Sequence, residues 1–404
     1  MIDVRQYKDI DAVEWDTYVN NHPDSNLYHL SGWKRVIEKT YGHSTYYLMA
    51  INPTNNAQRT THNHQRTTHN TQPVTPNPIR GILPLVHLKH FIFGNSLISM
   101  PFFDMGGVLA DNVETERALL DGAVNIGVRL GVDSIELRHT KTLNWLVDLS
   151  QTYPTNSTNP INPKNPTNPI NPTNSINPIN PINHQTHSHK VRMLLELPES
   201  SEMLMKSFKS KLRSQIKKPI KEGLSSKIGG IEFLEDFYKV FTINMRDLGS
   251  PVHSKKLVKK VVEEFSDQCK IVTVYKEDLP VASSVVVGFK GTLENPWASS
   301  LRQYSRLSPN MLLYWNMLVY ACENGYSCFD FGRSTPGEGT HRFKKQWGAV
   351  PDPLNWLYIF LKGEPELSQS TDKSKFERAI SYWQKLPVPV TKLVGPRIRK
   401  YIGL

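Results

Sequence analysis

The chain has 404 residues and carries 48 Lys plus Arg against 37 Asp plus Glu, a formal net charge of +11. That length fits two domains of ordinary size, and three cysteines (Cys269, Cys322, Cys328) without CxxC spacing exclude a disulfide scaffold and give no reason to expect a metal. No apolar run reaches the ~20 residues that span a bilayer, and the first residues lack the basic-then-apolar layout of a secretory signal, so a cytoplasmic protein is expected.

In chain order, helices are expected over Asp11–Tyr18 and Gly32–Thr40, with Ser31 as a cap, Trp33 in the core and Lys34 free for a ligand. Thr45–Ala50 reads as a strand. Residues 53–78 follow, holding the tandem repeat Gln58-Arg-Thr-Thr-His-Asn-His64 and Gln65-Arg-Thr-Thr-His-Asn-Thr71; a segment so polar buries little and is expected to be disordered. Strands at Ile79–Val86 and Leu97–Met100 lead to Met100–Asp111, where Gly106 and Gly107 stand beside Asp104 and Asp111. These carboxylates are candidates to accept an amine proton. A helix near Thr115–Leu130 and a strand at Gly131–Arg138 complete the first half. The second insertion, 154–189, cycles through Asn-Pro-Ile and Asn-Pro-Thr and is also expected to be disordered.

From Ser200 onward the pattern repeats. Helices are expected over Ser200–Lys221 and Phe233–Leu248, strands at Lys270–Tyr275, Leu279–Val287 and Trp297–Ser300, a helix at Asn310–Asn324, and a strand at Gly325–Arg333. Both halves thus read helices, strand, turn, strand, strand, helix, Gly, strand, which makes the chain a duplicated α/β unit. In Lys206–Lys221, Phe208, Leu212, Ile216 and Ile220 form one apolar stripe among cations, and Arg213 beside it is the candidate phosphate contact. Phe329–Pro351 runs from a strand through a Gly-rich loop to a basic helix start, placing Asp330, Arg333, Phe343, Lys344 and Lys345 where α/β folds hold ligands. The tail, 366–404, mixes cations with aliphatics and is expected to pack on the first domain or to touch the inner membrane.

Through these residues the chain resembles the Fem family of peptidoglycan-bridge aminoacyltransferases, in particular the branch associated with exosortase (PEP-CTERM) and exopolysaccharide loci. The most specific stretches are Arg246–His253, Pro296–Ser300, and Phe329–Thr335 continuing to Phe343–Gly348. The resemblance implies an α/β (α+β) fold of two tandem GNAT-like acyltransferase domains, 1–197 and 198–365. It implies that Lys344, after Phe343, contacts substrate phosphate and supports the acyl-transfer centre. Arg213 and Lys34 would hold the acceptor's phosphates, and Asp111 would lie near the reacting amine, with Asp104 as its alternate. Ser299, Arg302, Asp330 and Arg333 complete the expected substrate-binding set.

No cofactor is expected to be resident; the donor would be an aminoacyl-tRNA or an acyl-CoA, the acceptor a nucleotide- or lipid-linked envelope precursor. The acetyl-CoA loop pattern Gln/Arg-x-x-Gly-x-Gly/Ala is missing, since Arg333-Ser-Thr-Pro-Gly337-Glu-Gly339 is one residue too long. Alternatives are an acyl-CoA-dependent N-acyltransferase of an amino sugar and a non-catalytic nucleotide-sugar or RNA-binding protein of an export locus.

Overall fold

The computed structural model describes residues 2–52, 78–143, 145, 183–362 and 373–403. The Gln/Thr/His repeat and the Asn-Pro stretch up to residue 182 lie outside the described residues. The first half contributes strands β1 (Asp3–Gln6), β2 (Leu48–Ile51), β3 (Ile79–Leu83), β4 (Val86–His90), β5 (Gly94–Ile98), β6 (Leu109–Ala110), β7 (Ser134–His139) and β8 (His184–Glu196). The second contributes β9 (Leu224–Gly229), β10 (Cys269–Lys276), β11 (Leu279–Phe289), β12 (Thr292–Ser300), β13 (Cys328–Ser334) and β14 (Val350–Phe360).

Strand order shows how the halves join. One ten-stranded sheet runs β4-β5-β7-β14-β8-β13-β12-β11-β10-β9, and a four-stranded sheet runs β1-β2-β3-β6. In each half a parallel pair is bridged by a helix, as parallel strands require. Val113–Leu130 connects toward β7, which pairs with β5, and Pro309–Glu323 connects toward β13, which pairs with β12. The next strand of each half then crosses over. β8 pairs with β13 and β14 with β7, while β8 and β14 run antiparallel against each other at the centre. A two-fold operation therefore maps β4, β5 and β7 onto β11, β12 and β13 and exchanges β8 with β14. Exchanged strands make each sheet half depend on the other half of the chain.

The helix Val113–Leu130 shows how local sequence builds this frame. Asn112 Oδ1 accepts from Thr115 N–H at 2.9 Å, Gly131 closes the helix at φ +63°, and Leu119, Ala123 and Ile126 face the sheet. Such a cap contributes about 1 kcal/mol; most of the helix's stability comes from the buried face.

Several expectations need correction. His184–His189 are not disordered: they open β8, paired with β14 from His184↔Ile359 to His187↔Trp356, and the His187 ring lies 4.9 Å from that of Tyr358. A partner strand supplies the backbone hydrogen bonds that composition alone could not reveal. The single helix expected over Ser200–Lys221 is two, Ser201–Ser207 and Ser210–Lys221. Phe208, Leu212 and Ile216 are buried, but Ile220 is 55% exposed. Four-residue steps overshoot the 3.6-residue turn by about 40° each, so a stripe at that spacing walks off its face. Ser31 stands at the N-cap of Gly32–Tyr41 without capping it; its hydroxyl donates to Asp16 Oδ2 instead. In the tail, the helix Val388–Arg399 packs on the second-half helix Leu234–Asp247, whereas Lys400 and Gly403 accept hydrogen bonds from His43 and Phe102 of the first half.

Candidate active site

β12 and β13 pair only at Thr292↔Cys328, Leu293↔Phe329 and Glu294↔Asp330. Beyond that point β12 stays with β11 and β13 turns to β8, each with a register shift: Asn295 and Pro296 bulge opposite Val286, and the ladder to β8 skips between Asp330 and Arg333. Strands that splay leave a wedge with backbone groups turned into it. A cavity of about 340 Å³ occupies this wedge, lined by Glu294–Ala298 of β12 and Asp330–Arg333 of β13. Tyr28, Phe102, Asp104 and Met105 of the first half form one wall, and Arg399 reaches in from the tail.

Lys344 lies in the helix Gly339–Lys345 and is 7% exposed. Its ammonium donates to Gly332 O at 2.9 Å and to Arg333 O at 2.7 Å. Two of its three N–H donors are thereby used, leaving one for the cavity. Burial pulls the Lys344 ammonium down to about 8, opposed by the nearby Asp330 and Asp104. Gly332 makes this seat: at φ +77° it donates its N–H to Asp330 Oδ1 at 2.7 Å while its carbonyl meets Lys344, a conformation costly for any residue with a Cβ.

Opposite sits a buried acid pair. Burial, and then the facing Asp330 carboxylate, push the Glu294 carboxyl well above the usual range. The Tyr28 hydroxyl works against that rise. Asp330 is raised by burial but less so, because Arg192 at 3.7 Å and the Gly332 N–H favour its ionised form. Glu294 therefore keeps the proton and Asp330 the charge. Arg192 also holds Asp352 at 2.6 Å, tying β8 to β14 beneath the cavity.

Of the residues singled out in the sequence, the structure brings Lys344, Asp330, Arg333 and Asp104 together around the cavity. Asp330 and Arg333 do not pair with each other; Arg333 Nε faces Asp104 Oδ1 at 3.4 Å across the two halves. Ser299 is one residue beyond the lining and accepts from Asn244 at 3.1 Å, and Phe343 packs edge-on against Tyr314, whose ring lines the cavity. The remaining four lie elsewhere. Asp111 is exposed and accepts from Tyr18 at 2.9 Å, with Arg80 at 3.4 Å. Lys34 pairs with Glu38 at 3.0 Å, Arg213 donates to Lys206 O at 3.5 Å, and Arg302 is exposed. The charge around the cavity is mixed: Arg192, Arg333, Lys344 and Arg399 line it together with Asp104, Glu294 and Asp330. Glu294, Tyr28, Arg192 and Arg399 escaped sequence reasoning. None carried a readable signal: Glu294 stands among Thr292, Asn295 and Pro296 and looks like an exposed turn acid until its burial is known.

Residues 206–345 match the acetyltransferase (GNAT) domain family. These residues thus carry a GNAT-type domain, and with the fold above the chain is an acyltransferase. The crystal structure of FemX superposes with a TM-score of 0.59 at 14% identity, covering 89% of this chain and 97% of that one. A conserved protein of unknown function from Bacteroides thetaiotaomicron gives 0.50 at 8% identity, covering 89% and 100%. A tandem GNAT protein from the clavulanic acid biosynthesis pathway gives 0.46 at 9%, covering 90% and 100%. For the first two, at such identities, the likeness is one of fold. No curated protein matches the chain in sequence.

Proposed function

We propose that the chain is an N-acyltransferase or aminoacyltransferase of cell-envelope biosynthesis, in which an amine attacks an activated ester or thioester directly inside the β12/β13 wedge. The observation that carries this reading is the pairing of a buried, partly satisfied ammonium (Lys344) with a buried proton-sharing acid pair (Glu294 and Asp330) in one cavity. Acyl transfer needs both: a donor aimed at the developing oxyanion and an acceptor for the amine's proton. In this mechanism Lys344 stabilises the tetrahedral oxyanion. Asp330, kept ionised beforehand by Arg192, takes the amine proton within a pair already holding one proton on Glu294. Collapse of the oxyanion to the amide breaks the donor's C–O or C–S bond, and the alcohol or thiol leaves with that proton. Among the described residues no Ser-His-Asp or Cys-His constellation lines the cavity, so a covalent acyl-enzyme is not invoked.

The splayed strands leave a cavity of about 340 Å³ for the reacting end of the donor, whether that donor is an acyl-CoA or a charged tRNA. The acceptor proposed is a nucleotide- or lipid-linked envelope precursor of peptidoglycan or, following the exosortase resemblance, of exopolysaccharide. Asp111, Lys34, Arg213 and Arg302 would serve only a substrate long enough to leave the cavity. The test is product formation, followed by mass spectrometry, with each donor and with amine-bearing precursors. Lys344→Ala should lower turnover about 100-fold or more; unchanged turnover would remove Lys344 from the mechanism.

For a lipid-linked acceptor, peripheral contact with the inner membrane belongs to the same proposal. At the β4–β5 tip Phe91 and Ile92 are 91% and 67% exposed, and the basic tail's Tyr401 packs 4.4 Å from the adjoining His90. No helix among the described residues is long and apolar enough to cross a membrane. Sedimentation with anionic vesicles should fall on Phe91→Ser; unaltered sedimentation would dismiss the contact.

A further inference from the structure

Among the described residues, Arg399 is a buried cation without a counter-charge. It ends the helix Val388–Arg399, is 9% exposed and lines the cavity. Among the described residues its one hydrogen bond is from Nε to His253 Nε2 at 3.1 Å, and no carboxylate pairs with it. Because a guanidinium can only donate, His253 Nε2 must accept. The His253 proton is therefore on Nδ1, which points to the Tyr41 hydroxyl at 3.1 Å. Burial holds His253 far below its ordinary value, so the ring is neutral and fixed in this tautomer. It clamps the Nε edge of Arg399 and leaves the terminal nitrogens to the cavity.

The other charges near Arg399 make its position worse. Arg333 and Arg138 both repel it, and burial together with that repulsion lowers its guanidinium to about 10. Arg138 is paired with Glu136 at 2.8 Å and Arg333 with Asp104 at 3.4 Å, so each already has an acid. A buried ion without a partner is expensive and persists where something compensates it. The wall next to it is apolar: Phe102 stands edge-on to His253 at 5.5 Å, and Trp297, Phe241 and Met245 line the same space.

We propose that Arg399 is the anchor of an oxyanion subsite in the acyl-transfer cavity, taking a phosphate or carboxylate of the substrate on its free NH1/NH2 edge. This rests on the cavity being the transferase site, and it names the substrate class: an anionic one, whose charge sits on the tail's arginine while its reacting group faces Lys344. The matched GNAT region ends at residue 345, so this subsite is added to that domain by the tail. Fork geometry suits a planar or tetrahedral oxyanion held by two N–H bonds.

The test uses the full chain in an anion-poor buffer, with inorganic pyrophosphate as the phosphate probe and malonate as the carboxylate probe. At about ten times the dissociation constant, the effective probe should raise the melting temperature by about 1–2 °C. Arg399→Met should abolish that rise while melting no lower than the wild type without anion, since a counterion-free charge has been removed. Arg399→Lys should retain part of the rise and guards against a packing defect in the Met variant. Protection by pyrophosphate alone assigns a phosphate, and by malonate alone a carboxylate. The proposal is overturned if neither probe protects the wild type, if Arg399→Met is protected equally, or if it melts lower and Arg399→Lys restores the loss without any anion response. Lys344→Ala should keep the anion response while losing turnover, so failure of this subsite and failure of the transferase reading give different results.

Discussion

The two halves of this chain build the same wedge and use it differently. In the second, β12 and β13 part after Glu294↔Asp330 and leave a cavity. In the first, β5 and β7 part after Ile98↔Glu136, but residues 99–108 fold back into the gap. Arg138 holds that plug, donating to Met100 O at 3.2 Å and to Phe103 O, while its backbone carbonyl accepts from Gly107 N–H at 2.9 Å. The plug breaks the first sheet as well. β11 and β12 are continuous, whereas their counterparts are split into β3 and β4 at Pro84-Leu85 and into β5 and β6 around the plug. Duplication thus separated two tasks. One copy keeps an open cleft, and the other fills its own and presents Phe102, Asp104 and Met105 as a wall for its twin.

The sharpest way to break this comparison is to change the central cation of each wedge. Arg138→Met should cost about 3 kcal/mol of stability in urea melts, because Glu136 and the plug carbonyls lose their partner. Lys344→Ala should lower turnover about 100-fold or more with a smaller stability loss, since its removal also relieves the desolvation of a buried ammonium. If the two variants behave alike, the division of roles is wrong. Next in size is Gly106→Ala. Gly106 adopts φ +122°, and an added Cβ would lie 2.5 Å from Met100 Cγ, inside a plug where Met100 and Phe102 already sit at φ 52° and 77°. A loss of about 2 kcal/mol is expected, read by denaturant melts.

Two pH experiments sharpen the chemistry. If the Lys344 ammonium is the oxyanion donor, turnover should fall as pH rises through about 8, and Lys344→Arg should move that limb to higher pH. A limb that stays in place would assign it to another group. Glu294 has a folded-state value raised above its unfolded one, so its stabilising contribution is present at acid pH and is lost as pH climbs from the ordinary carboxylate range through neutrality. Glu294→Gln should therefore gain melting temperature relative to wild type at pH 8 but not at pH 4, and an equal effect at both would refute the shift. Smallest are Lys34→Ala, Arg213→Ala and Arg302→Ala, each outside the cavity lining and expected to change turnover on a short amine substrate by less than about 3-fold.

The internal repeat, the helices around Thr115–Leu130 and Asn310–Asn324 and the strand ending at Arg333 were legible because periodicity and glycine punctuation are local properties. Lys344 was legible because its helix follows that strand by a short loop. Arg399 and Tyr28 were not: each reaches the cavity from a segment distant in sequence, and an arginine in a basic tail looks like any solvated charge until its neighbours are known. Asp104 and Asp111 stood equal in sequence, seven positions apart. The plug turned one toward Arg333 and left the other on the surface with Tyr18.

Composition and pattern, acting through short-range backbone preferences, determined the elements of this protein and their duplication. The exchange of β8 with β14, the plugging of one wedge and the identity of the charges facing Lys344 were decided only in three dimensions, because long-range strand pairing and burial set which groups lose water together.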